Sequence, residues 1–129
     1  MKKMAWGLGL ACSLSLAACG GGGDPLQAAN AALAAKDPAK AELLLQGVIS
    51  KMPELRVAHM RLFVVAQYLA VQGDPARQQA FQTEALDQYD WLVKSYGLHT
   101  DYGDMQGSLK ADPQAAADLA AARQPLYGD

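Results

Sequence analysis

Three Asp-Pro pairs, Asp37-Pro38, Asp74-Pro75 and Asp112-Pro113, punctuate the chain at separations of 37 and 38 residues. An aspartate side chain can accept the unpaired N–H groups of a helix's first turn, and proline fits that turn because its φ is preset and it has no donor to strand. Each pair therefore predicts a helix start. Ala41, Leu44, Leu45, Val48 and Met52 follow the first at three- and four-residue steps, which gives a helix to about Met52 that Pro53 ends. Phe81, Ala85, Tyr89, Leu92 and Tyr96 follow the second in the same way, on a helix to about Tyr96 with Asp90 and Lys94 paired on its wet side. The third opens an alanine-rich helix to about Arg123, leaving 124–129 as a tail.

Two further helices fill the gaps. Leu26 to Lys36 is alanine-rich and helix-favouring. Glu54 to about Gln72 is apolar, with Gly73 expected as a left-handed stop. The stretch 97–111 reads as a loop with at most one short helical turn, and no strand pattern occurs. The fold class is all-α: a small bundle of helical hairpins with about five helices over 26–123.

Lys36-Asp37-Pro38-Ala39-Lys40-Ala41, followed by Leu45, Val48 and Pro53, resembles the second helix of a tetratricopeptide repeat, and Gly73-Asp74-Pro75-Ala76-Arg77 repeats its entry. The family period is roughly 34 residues and this spacing is longer, so the likeness covers Leu26 to Tyr96. The same Asp-Pro pairs also fit a plain all-α bundle.

At the other end, Lys2 and Lys3 precede an apolar run, Ala5 to Ala18, that closes on Leu16-Ala17-Ala18-Cys19 and runs into Gly20 to Gly23. This resembles a bacterial lipoprotein signal with its lipobox. The resemblance implies cleavage after Ala18, a diacylglycerol on the Cys19 sulfur and an N-acyl chain on its amine. It divides the chain into a leader, 1–18, and a lipidated tether, 19–25. Two or three acyl chains give stable attachment where one does not. Gly20 resembles the default for export to the outer membrane of Gram-negative cells, with the domain expected on the periplasmic face.

Loss of Lys2 and Lys3 with the leader leaves 9 basic against 13 acidic residues, a charge of −4 in place of the full chain's −2. An acidic surface disfavours nucleic acid and anionic headgroups as partners. Cys12 falls in the leader, so Cys19 is the mature chain's single thiol and no disulfide is expected.

The Glu54–Gln72 helix is apolar on two sides. Leu55, Ala58, Leu62, Val65, Ala66 and Leu69 form one arc, and Val57, Met60, Val64, Tyr68 and Val71 form the other. Such a helix is either central and covered on both sides, or it leaves the second arc open as a groove. In the open case Val57, Met60, Arg61, Val64 and Tyr68 are the candidate partner-binding residues, with Arg61 and Tyr68 as anchors.

Catalytic and metal signatures are weak. His59 reads as a half-buried helix residue. His99, Asp101 and Asp104 read as a solvated turn without calcium-loop spacing. Glu84, Asp87 and Asp90 read as a wet helix face. Nucleophile-elbow, phosphate-loop and dinucleotide patterns are absent, so no catalytic residue, resident metal or cofactor is assigned beyond the lipid. The expected function is a lipid-anchored, non-catalytic accessory that binds a protein of the cell envelope, similar in arrangement to pilotins. Two alternatives are an immunity or inhibitor protein that binds a toxin or enzyme, and a carrier of a small ligand or lipid.

Overall fold

In the computed structural model, residues 24–128 are described, and they form α1 (Gln27–Ala34), α2 (Pro38–Lys51), α3 (Arg56–Gln72), a 3₁₀ turn (Pro75–Arg77), α4 (Gln78–Tyr96), α5 (Met105–Lys110) and α6 (Pro113–Tyr127). The lipobox residues Ala18 and Cys19 lie outside them. Asp37 and Asp112 start α2 and α6 by the expected bond, accepting from Lys40 N at 3.2 Å and Ala115 N at 2.9 Å, whereas Asp74, accepting from Ala76 N at 3.0 Å, caps only the 3₁₀ turn, and α4 starts after it at Gln78 with no side-chain cap. A fourth pair, Asp24-Pro25, acts alike, with Asp24 accepting from Leu26 N at 2.8 Å just before α1.

The fold is all-α. α3 is its axis: α4 packs along it most extensively, α2 and α6 cover it elsewhere, and α1 lies on α2. One core cluster sits between α3, α4, α5 and α6 around Met60, Phe63, Val64, Tyr89, Leu92, Leu109 and Leu119. The other sits between α1, α2, α3 and the start of α4 around Leu33, Leu45, Leu62, Val65, Leu69 and Phe81. Met60 and Val64 of one arc thus face the first core and Ala58, Leu62, Val65 and Leu69 of the other face the second, while Ala66 and Val57 each sit with the opposite set; Leu126 touches both cores. Among the described residues no helix is long and apolar enough to cross a membrane.

Three local expectations change. Gly73 has φ −89° and is not left-handed; a Cβ there would sit 2.6 Å from the Leu69 carbonyl oxygen and 3.2 Å from Phe81. Glycine is needed because a side chain would run into the last turn of α3 itself, with Phe81 of α4 crowding it further. The 97–111 segment contains a six-residue helix, α5, capped by Asp104 on Gly107 N at 2.8 Å and tied down by buried Leu109. The expected tail is helical. α6 continues through Pro125 to Tyr127 and ends at Gly128, whose φ is 75°. Proline removes one intrahelical bond here. Burial of Leu126, and a 2.6 Å bond from Lys36 Nζ to the Pro125 carbonyl, hold the last turn against the α1–α2 corner.

Candidate functional site

The five residues expected to line an open groove do not form one. Met60 and Val64 are fully buried in the core that α4 and α6 close, and Val57 is half-buried beside the second core. Arg61 donates from Nη1 to Asn30 Oδ1 on α1, and Tyr68 is half-buried with its ring edge-on to Tyr127 at 5.6 Å. The reason is α6. Its Ala115, Leu119 and Ala122 are buried in the same cluster as Met60 and Val64, and an uncovered apolar arc would forfeit about 25 cal/mol per Å² of burial. The covered, central reading of α3 is the one the fold adopts.

One end of that arc stays open. Val71, at the last turn of α3, is 78% exposed, Leu86 on α4 is 40% exposed and Tyr127 is 42% exposed. They border a cleft of about 500 Å³ that runs between α3 and α4 and is bounded by Met105 of α5. Ala70 and Ala85 form part of its lining because two alanines leave a hollow where larger side chains would fill it. Its polar lining is Gln67, Gln82 and Gln106. Side-chain amides donate and accept hydrogen bonds, so they can orient a group bound in this cleft. Val71 and Tyr68 are the signals in the sequence that pointed nearest to it. Leu86 lies off the apolar stripe of α4, and Tyr127 falls in the stretch expected to be a tail.

The structure also moves a carboxylate from the surface to an interior contact. Glu84 does not belong to a wet face: it is half-buried and meets Glu42 of α2, which is 1% exposed. Gln46 Nε2 donates to Glu84 Oε2 at 2.5 Å, and Arg77 Nη1 lies 3.6 Å from Glu42 Oε1 while its guanidinium stacks on Phe81. Burial, and then the hydrogen bond to Glu42, push the Glu84 carboxyl up to about 7. The protonated form of the Glu84 carboxyl is therefore the favoured one in the fold. The stabilisation it brings is fully present below the ordinary value of 4.5 and is lost as pH rises through 7. Glu84 keeps solvent contact, so the effect is on the order of 1 kcal/mol. Glu84→Gln, which keeps a donor at every pH, should flatten the pH dependence between 5 and 8.5 and exceed the wild type in stability at the alkaline end. Urea unfolding at the two pH values checks this, and a wild-type protein equally stable at both would refute the raised Glu84 value.

The remaining polar residues serve the fold. Asp90 accepts from Tyr102 Oη at 2.5 Å rather than pairing with Lys94. His59 is buried and stacked 3.6 Å from Trp91, with Nε2 donating to the Pro53 carbonyl at 2.8 Å and Nδ1 meeting the Gln88 amide at 2.6 Å. Asp101 accepts from Gly103 N and Asp104 N, and Asp104 caps α5, so both carboxylates are spent on the loop's own backbone. Among the described residues no three His, Cys, Asp or Glu side chains converge as metal ligands. No protein-family profile, curated protein or solved structure matches this chain.

Proposed function

We propose that this protein is a lipid-anchored accessory of the outer membrane that holds a segment of an envelope protein in the α3–α4 cleft. The observation that carries the reading is the contrast along α3: Met60 and Val64 are sealed into the core, while Val71, Leu86 and Tyr127 leave an apolar opening rimmed by glutamine amides. Apolar side chains projecting from a partner's helix suit such a cleft, and the amides can bond its exposed backbone or polar flank. The lipobox pattern Leu16-Ala17-Ala18-Cys19 supports the anchor.

A photo-crosslinking residue placed at Val71 or Leu86 in intact cells should give one discrete adduct with an envelope protein, whereas the same residue at Gln79, which is exposed outside the cleft, should give none. Val71→Lys with Leu86→Lys should abolish the adduct at Tyr127 and leave the melting temperature within a few degrees, because neither side chain supports the core. Equal labelling from Gln79 and the cleft would defeat the assignment. The cleft's volume also lies within the range of small-ligand pockets. An apolar compound extracted from the purified protein, with no protein adduct, would shift the reading to a carrier.

A further inference from the structure

The large apolar side chains that remain exposed are not scattered. Val71, Leu86 and Tyr127 belong to the cleft, and Tyr102 is bonded to Asp90. Leu43, 64% exposed, and Met52, 42% exposed, are left, and both lie on the outer side of α2. With Leu44, Gly47 and Val48 they line a shallow apolar depression whose remaining members are Lys51 and Pro25. The opposite side of α2, Ala41, Glu42 and Leu45, is buried in the bundle.

Pro25 fixes what can lie against this face. It is six residues from Cys19, and six residues span at most about 20 Å even when fully extended. If Cys19 carries acyl chains, the headgroup layer must lie within that distance of the depression Pro25 helps to line. No part of the bundle is tethered more closely. An apolar side chain that protrudes there loses water contact by entering the interface, and Lys51 can place its methylenes along the apolar layer with its ammonium among the phosphates. Gly47 leaves the middle of the face without a protruding side chain, so Leu43 and Met52 reach outward on either side of it.

We infer that the Leu43–Met52 face of α2 rests in the headgroup region of the bilayer to which Cys19 is anchored, which fixes the orientation of the bundle on the membrane. The inference rests on the lipid-anchor reading, and its occupant is the lipid surface rather than a second protein. The test uses the acylated full-length product reconstituted in vesicles of phosphatidylethanolamine and phosphatidylglycerol. With the Cys19 sulfur alkylated, a nitroxide can be attached at one new thiol: Leu43→Cys, Met52→Cys or, as a control, Gln79→Cys. The expected result is flotation with the vesicles, together with a severalfold higher ratio of oxygen to water-soluble nickel-complex collisions at 43 and 52 than at 79. Flotation with equal, water-like ratios at all three positions overturns the orientation alone. Shielding of 43 and 52 from both reagents points to a protein contact and overturns it too. Failure to float overturns the anchor and the orientation together.

Discussion

Met60→Ala should lower the free energy of unfolding by about 3 kcal/mol, because it empties a fully buried site between α3, α4 and α6 whose neighbours cannot collapse without moving a helix. Urea denaturation followed by circular dichroism measures it. Val64→Asp should go further and leave no folded protein, since a carboxylate would be buried without a partner. Both outcomes separate the covered arc from an open groove. Had Met60 and Val64 lined a groove, either change would remove binding and leave the fold within about 0.5 kcal/mol of wild type. A small effect at position 60 would mean that α6 does not seal this side in solution.

Tyr89→Ala should cost about 4 kcal/mol, the range for a large aromatic removed from a core. The Tyr89 ring is completely buried, 6.1 Å from Phe63 and edge-on to Tyr102 at 5.5 Å. Its hydroxyl also clamps the backbone. It accepts from Asp101 N at 2.7 Å and donates to the Asp101 carbonyl at 3.2 Å, pinning the loop between α4 and α5 to the core. Tyr89→Phe removes only that clamp and should cost about 1.5 kcal/mol, since both Asp101 groups must then find water. Hydrogen exchange gives a second readout. In Tyr89→Phe the amides of 101–104 should exchange faster while those at the centre of α3 stay protected. Uniform acceleration across the bundle would show that the loop is not an independent unit.

The anchored reading gives these stability effects a functional consequence. Met105, which follows the clamped loop, borders the α3–α4 cleft, so Tyr89→Phe should weaken capture of a partner there even though Tyr89 never touches the cleft. The Glu42–Glu84 contact acts elsewhere, on the pairing of α2 with α4.

What the sequence alone determined is what depends on atoms a few residues apart. Asp37, Asp74 and Asp112 bond N–H groups two or three positions ahead, so the helix starts were readable wherever the pair occurred. The stripe from Phe81 to Leu92 was readable because a helix repeats every 3.6 residues whatever it packs on. The end of α6 was not, because local rules favour a break at Pro125. Contacts made by Leu126, by Tyr127 with Tyr68, and by Lys36 from 89 residues away override them. Gly73 was recognised as a stop, but for the wrong reason: it is not left-handed, and a Cβ there would meet the Leu69 carbonyl oxygen at 2.6 Å and, at 3.2 Å, Phe81. Glu84 was misplaced for the same kind of reason: the pattern of α4 gives its angle around the helix but not that Glu42, 42 residues earlier, would be facing it. Tertiary structure alone decided that both apolar arcs of α3 are covered, since the gain from burial follows the area removed from water and is blind to sequence distance. It sealed Met60 and Val64 under α6, and it left Val71, Leu86 and Tyr127 in the open.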